Sequence, residues 1–448
     1  MKFLFLLAAI APLASGYEQQ VLQEQRPAGT LRRFNVSSRG EASTIMTVAR
    51  RNDLDVWGVT RSHIDIYWPS NEGSKLPADL KELPHTSTTI PPWMGGHHQT
   101  AGEPDWDLST LNATFHEDYH PLEQADEFMR QLTTQFPNTT QLTRIGLTAE
   151  GRDLFALTVS KEGNVSLVED KKKKKKKKKK HPVAVPKLNI VVVGAQHARE
   201  WIATSTSLYL AHALAVNSSD IHSLLDVFNF HIIPSPNPDG YAYTWTNERY
   251  WYKNRQTLAA HVPCKGLDTN RNWGYQWHHE PVEGALHPDV PVDPCSHWYP
   301  GNRPFQAPEV NDIANYVATI PDLIGFLDLR SYGQMISTPY SYSCERYPKD
   351  IEDQTEAAYG AAQAIKTTHG VHFEAGRVCD NLYEAPGNIL DWMYSRAGAK
   401  YSYAVHLRDT GTYGFSLPAK YIRPVGEETA GMVSYLAKFI AAKFKRKL

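Results

Sequence analysis

An imidazole and a carboxylate lie one turn-like step apart at His197 and Glu200, directly after the apolar run Leu188 to Val193. Both carry lone pairs of the kind that hold a catalytic zinc ion, which takes nitrogen and oxygen donors and leaves one position open for water. Two polar residues at this spacing are, taken alone, more often surface groups than ligands. Their placement adds weight, because ligands of open α/β sheets gather at the carboxyl ends of strands.

The elements that must position this pair read as α/β. Leu188 to Val193, Phe228 to Ile233 and Leu323 to Leu329 are short apolar runs separated by helical stretches, the pattern of buried parallel strands. Leu122, Ala125, Phe128, Met129, Leu132 and Phe136 recur at helical spacing until Pro137 stops them, which predicts an amphipathic helix on that sheet. A last helix is expected over Glu427 to Lys447, with acids at its start, basic residues at its end and Met432, Tyr435, Leu436, Phe439 and Ile440 on one face. Residues 17–91 alternate β-rich runs such as Ile64 to Trp68 with polar segments and read as a separate small α+β unit. Residues 92–108, opening Pro92-Trp93-Met94-Gly95-Gly96, suit an exposed linker, and the large domain then spans 109–448. The lysine run 171–180 repels itself and is expected to form a solvated loop, with a local polyanion contact as the other reading.

Lysine plus arginine (47) nearly cancels aspartate plus glutamate (48), so the chain lacks the cationic field of a general nucleic-acid binder. Met1-Lys2, the apolar run Phe3 to Leu13 and Ala14-Ser15-Gly16 form the three regions of a secretory signal peptide, residues 1–16. No later stretch supplies about 18 uncharged apolar residues, so membrane insertion is not expected. Five Asn-x-Ser/Thr glycan acceptors, Asn35, Asn112, Asn138, Asn164 and Asn217, suit that route. So do four cysteines, Cys264, Cys295, Cys344 and Cys379, which include no C-x-x-C pair. Two disulfides in sequence order are the expected pairing; two other connectivities and reduced thiols remain open.

From Ser109 onward an ordered set of motifs joins the His197 and Glu200 pair: Asn237-Pro238-Asp239-Gly240, Asp268-Thr269-Asn270-Arg271-Asn272-Trp273, Tyr383 before Ala385-Pro386-Gly387, and Leu407 to Phe415. With them the region resembles the pancreatic-type zinc metallocarboxypeptidases. The resemblance implies a mixed α/β sheet flanked by helices, preceded by an inhibitory prodomain of antiparallel sheet and helices. It implies His197 and Glu200 as ligands of one zinc ion, and Asn270 with Arg271 as the grip on a substrate's terminal carboxylate. A guanidinium suits that task, since it holds a carboxylate by two parallel charged hydrogen bonds. It further implies Tyr383 as a mobile cover, and Arg199 as an auxiliary substrate contact that would otherwise read as an ion partner of Glu200. The pairing Cys264 with Cys295 follows from the resemblance, and proximity then joins Cys344 to Cys379. Ser337, Ser341, Ala385, Asn388, Leu390 and Ala404 fall near the side-chain pocket, with no carboxylate at its base, which favours neutral or apolar C-terminal residues.

Three positions depart from the family's pattern. Arg330 ends the run Leu327-Asp328-Leu329 where the family has its third zinc ligand, a histidine. A guanidinium has no lone pair to offer, and at about 4 Å and an effective dielectric near 20 it repels a divalent cation by roughly 8 kcal/mol. His406 stands in place of the glutamate that takes a proton from zinc-bound water. Without a firmly held metal that water keeps a pKa of about 15.7 instead of about 7. Tyr252 replaces the arginine that polarises the scissile carbonyl, and brings a hydrogen bond without charge. Each change has a milder reading: Lys253 reaching for the carbonyl, or His406 completing an unconventional zinc triad in an active carboxypeptidase. Together they predict a pseudopeptidase that binds C-terminal carboxylates of peptides or proteins without hydrolysis, with zinc disfavoured. The chain is similar in this to an inactive, secreted or vacuolar fungal branch of the family associated with cell-wall organisation and biogenesis.

Overall fold

A computed structural model of the chain describes residues 29–69, 76–91, 105–163, 165–166, 184–278 and 293–446. The expected leader, the acceptor Asn164 and the lysine run 171–180 lie outside the described residues.

Strands Gly29–Asn35 (β1), Asp55–Val59 (β2), His63–Pro69 (β3) and His85–Ile90 (β4) pair in the order β2-β3-β1-β4. The helix Arg39–Arg51 lies on one face of this sheet, with Ile45, Met46 and Ala49 against Phe34, Ile64 and Ile66. Its start is fixed reciprocally: Ser38 Oγ accepts from the Glu41 amide at 3.2 Å, and the Glu41 carboxylate accepts from the Ser37 amide at 2.8 Å. The opposite face presents Leu31, Trp57 and Tyr67 to the larger unit.

The larger unit holds Thr140–Leu147 (β5), Asp153–Val159 (β6), the two-residue pair Val165–Ser166 (β7) and Ala184–Val185 (β8), Leu188–Val193 (β9) and Phe228–Ile233 (β10). It continues with Leu323–Arg330 (β11), Met335–Thr338 (β12), Glu374–Arg377 (β13) and Tyr401–His406 (β14). Eight of these form one mixed sheet in the order β13-β12-β14-β11-β9-β10-β6-β5. The three apolar runs are β9, β10 and β11, side by side and parallel, and every residue of β9 and β11 is buried. Strands covered on both faces need no polar alternation, which is why they read as continuous apolar segments.

Helices cover both faces. Leu122–Gln135 sets Phe128, Met129 and Leu132 into the core, in register with the predicted stripe. Trp201–Ala215 is buried along its whole length and meets the final helix, Ile422–Lys443. The two approach closely at Gly426, where a Cβ would lie 2.4 Å from the Tyr209 ring. That final helix begins before Glu427, because Pro424 sits in the first turn, where no amide donor is required. Residues 105–108, read as linker, already belong to the large unit: Leu108 is buried and its carbonyl accepts from His212 Nε2 at 2.9 Å. Cys264 is bonded to Cys295 and Cys344 to Cys379, the sequential pairing. Among the described residues no helix is long and apolar enough to cross a membrane.

The small sheet docks over the carboxyl ends of the large one. Trp57, Tyr67, Leu31 and Ile90 close an apolar cluster with Tyr332 and Phe415. Asp65, fully buried, accepts from Arg33 Nε and Nη2 at 2.7 Å each and from the Tyr332 hydroxyl at 2.8 Å. Arg33 Nη2 also donates to the Thr410 carbonyl at 2.7 Å, and Arg61 Nε to that of Cys379 at 2.9 Å. We expect Asp65→Ala to destabilise the protein by about 1–3 kcal/mol, because it strands the Tyr332 hydroxyl while the partly exposed Arg33 rehydrates. Denaturant unfolding measures this, and an unchanged midpoint would show that the two sheets are not coupled through Asp65.

Candidate functional site

His197 and Glu200 lie on the turn that joins β9 to the helix Trp201–Ala215, while Arg330 and His406 are the last residues of β11 and β14 and face one another in register. The sheet order therefore brings residues far apart in sequence to one point at its carboxyl edge. His197 Nε2 lies 2.9 Å from Asp268 Oδ1, which leaves Nδ1 facing Glu200 Oε1 at 3.1 Å. The Arg330 guanidinium enters between them. Its Nε donates to Glu200 Oε2 at 3.1 Å, its Nη2 to Glu200 Oε1 at 3.2 Å and to His197 Nδ1, and its Nη1 reaches Asp328 Oδ2 at 3.5 Å. Gln196 Nε2 caps the other Asp328 oxygen at 2.9 Å, and the Tyr252 ring stacks on His197 at 3.7 Å.

Burial opposes charge throughout this cluster, and the arrangement decides which groups keep it. For Glu200 the nearby Arg330 and His197 outweigh burial and hold the carboxyl down to about 2. Arg330, which burial alone would lower, is held above its ordinary value by Glu200 and Asp328. Burial wins at Asp328, raised to about 6, and at His406, which burial and then Arg330 push down to about 3.

The residues present do not fit a divalent cation. The lone pairs that would meet it, on His197 Nδ1 and both Glu200 oxygens, are already directed at guanidinium N–H groups. The milder readings also fail on geometry. Among the described residues, His197, Glu200 and His406 do not bring three ligand atoms within 4.8 Å of one another; the group that does is Cys344, Cys379 and Glu384, whose cysteines are disulfide-bonded. Lys253 turns away and donates to the Pro294 carbonyl at 2.8 Å.

The residues expected to grip a carboxylate lie beside this cluster. Arg271 Nη1 donates to the Asn270 carbonyl and its Nη2 to the Tyr383 hydroxyl, both at 3.0 Å. Asn270 Oδ1 accepts from the Ile389 amide at 3.1 Å. Gly387 makes this approach possible: its φ is +73° and a Cβ there would lie 2.2 Å from the Arg271 carbonyl oxygen. A small cavity of about 50 Å³ is lined by Asn270, Arg271, Tyr383, Ala385, Asn388 and Ala404, and on its other side by Tyr252, Arg330 and His406 of the charged cluster. Leu390 packs instead with Val378 and Ala404, and Ser337 Oγ accepts from Asn381 Nδ2 at 3.0 Å. Ser341 binds Asp391, whose carboxylate also accepts from the Tyr342 amide at 2.8 Å and is raised by burial to about 6.

Arg199 points away from Glu200. Its Nη1 donates to Asp55 Oδ1 at 2.9 Å and its Nη2 to the Val56 carbonyl at 3.2 Å, both on β2 of the small sheet. A larger cavity of about 460 Å³ remains between the two units, bordered by Arg61, His63, Tyr332, Glu374, Tyr383 and His406. Asp268 lay inside a motif already notable in the sequence. Asp55, Asp65 and Asp391 carried no local signal, since each acts only through a partner distant in the chain.

The zinc carboxypeptidase family model matches residues 125–432. The chain is 34% identical to the inactive metallocarboxypeptidase ECM14 of Blastomyces gilchristii, over 94% of this chain and 73% of that protein. It is also 34% identical to inactive metallocarboxypeptidase ecm14 of Talaromyces marneffei, over 91% and 71%. Among solved structures it is similar to thrombin activatable fibrinolysis inhibitor, with a TM-score of 0.76 and 27% identity, over 93% of this chain and 99% of that one. Carboxypeptidase A from Helicoverpa armigera shares the fold, with a TM-score of 0.74 at 23% identity over 93% and 98%. With its mixed sheet and a site at the carboxyl ends of β9, β11 and β14, this chain belongs to the zinc carboxypeptidase family, and its likeness extends over nearly its whole length to members named as inactive.

Proposed function

We propose that the protein is a secreted pseudopeptidase that recognises C-terminal carboxylates of peptides or proteins without cleaving them. The observation that carries this reading is that one cavity joins residues suited to grip a carboxylate with residues unsuited to hydrolysis. Arg271, Asn270 and Tyr383 stand together at a small cavity that Arg330, His406 and Tyr252 also line, and the family resemblance assigns those last three positions to a metal ligand, a proton carrier and a positive charge. In the structure described the Tyr383 hydroxyl takes one donor of Arg271, so a bound carboxylate must displace it. The cavity is also too small for a bulky terminal side chain while Tyr383 holds this position.

On this reading the unit 17–91 acts as a prodomain-like cover. The secretory assignment, to the cell exterior or the vacuolar lumen, is supported by the leader, two disulfides and acceptors Asn35, Asn112, Asn138 and Asn217, all exposed. A part in cell-wall organisation is supported by family resemblance alone.

After proteolytic removal of the prodomain-like unit, the protein is expected to give no zinc-dependent turnover of peptides ending in apolar or basic residues; turnover abolished by a chelator and restored by zinc would end the pseudopeptidase reading. Peptides with a free C-terminus are expected to bind and their C-terminal amides to bind at least tenfold more weakly, since the amide loses the charge that Arg271 pairs. Arg271→Met should remove the difference, and equal binding of acid and amide by the unaltered protein would refute carboxylate recognition. Expressed in a eukaryotic host, the protein should enter the medium carrying N-glycans that an endoglycosidase removes, as a mass shift reveals; an unglycosylated cytosolic product would contradict the secretory assignment.

A further inference from the structure

His197 Nδ1 and Glu200 Oε1 approach to 3.1 Å. In a neutral imidazole one ring nitrogen donates and the other accepts. The Nε2 atom faces the Asp268 carboxylate at 2.9 Å, so it carries the hydrogen. Nδ1 is then a lone pair, and its neighbour is a carboxylate oxygen. Two lone pairs at that distance repel unless a positive group bridges them. Arg330 Nη2 touches both atoms, and Nε holds the second oxygen of Glu200. Arg330 Nη2 lies against Nδ1 and is a donor only, so in the neutral ring Nδ1 accepts from it.

The rest of the pocket supports the same assignment. Glu200 is 2% exposed and Arg330 8%, so water screens neither. The other basic residues nearby are engaged elsewhere: Arg199 with Asp55, Arg271 with Tyr383 and Asn270, Lys253 with Pro294. His197 keeps Asp268 behind it, the kind of outer carboxylate that orients a metal-bound imidazole.

We infer that Arg330 is a tethered substitute for the metal ion: its guanidinium joins the end of β11 to the turn bearing His197 and Glu200 and makes this site independent of any divalent cation. The ligand carriers and their outer support persist, so a metal site lies one substitution away. This goes beyond carboxylate recognition and stands whether or not peptides bind.

The test uses the full chain. After equilibration with zinc and removal of excess, wild type should retain no stoichiometric metal by elemental analysis, and its Tm should be the same with and without chelator. Arg330→His should retain about one zinc per chain, lost again in Arg330→His combined with His197→Ala, and zinc at about 100 times its Kd should raise its Tm by several degrees. Arg330→Ala should lower Tm, and low millimolar guanidinium, which refills the vacated place, should partly restore it where equal urea or sodium does not. One tightly held zinc in wild type, or a wild-type Tm that falls with chelator, overturns the inference. So does an Arg330→Ala protein as stable as wild type. If Arg330→Ala fails to fold, the wild-type and Arg330→His metal measurements decide the question.

Discussion

A carboxylate withdrawn from water needs a cation or several donors beside it, and Glu200 meets this requirement with Arg330. Desolvation of one unpaired charge costs several kcal/mol, a large part of the stability of an ordinary domain. The consequences reach outward from that pair. Arg330 Nη2 lies against His197 Nδ1, Asp268 faces the opposite ring nitrogen, and Tyr252 stacks on the imidazole. Asp328 beneath shares the guanidinium with Glu200 and takes its second support from the neutral donor Gln196.

The same two segments that form this cluster also hold the small sheet. Arg199, beside Glu200, binds Asp55, and Tyr332, two residues past Arg330, donates to Asp65. The floor of the site and its cover therefore share backbone. An aromatic cluster of Trp57, Tyr67, Tyr332 and Phe415 excludes water around these polar contacts, which strengthens them by lowering the local dielectric. The cavity left between the units is bordered by both, so its shape belongs to their association and not to either sheet alone.

Recognition and bond breaking make different demands on a scaffold. A carboxylate grip, in the proposed reading, needs a fixed guanidinium and close loop approach, and Arg271 is held by the Asn270 carbonyl beside the close turn at Gly387. Hydrolysis needs an activated water, a proton carrier and stabilisation of developing charge, and each depends on a single side chain type. On the proposed reading, substitution at three positions removes the second set and leaves the first, and the scaffold tolerates it because the positions of β9, β11 and β14 are set by apolar packing in which none of those side chains takes part. Function on such a scaffold resides in the site and not in the fold.

Much was legible in the sequence itself. The runs at Leu188, Phe228 and Leu323 determined three adjacent strands, since strands covered on both faces are mostly apolar, and the stripe from Leu122 determined a helix because one face of it is buried. The motifs around His197, Asn270 and Tyr383 named the residues that meet, and Arg330 declared itself as a cation without a lone pair. Which partners these residues take was decided only by the tertiary structure. Arg199, readable as a partner of Glu200, binds Asp55 on the small sheet; His406, readable as a replacement ligand, does not group with His197 and Glu200 within 4.8 Å. Local pattern records which face of an element is buried. It does not record which distant strand end is placed opposite, and the energy of a buried charge depends on that placement.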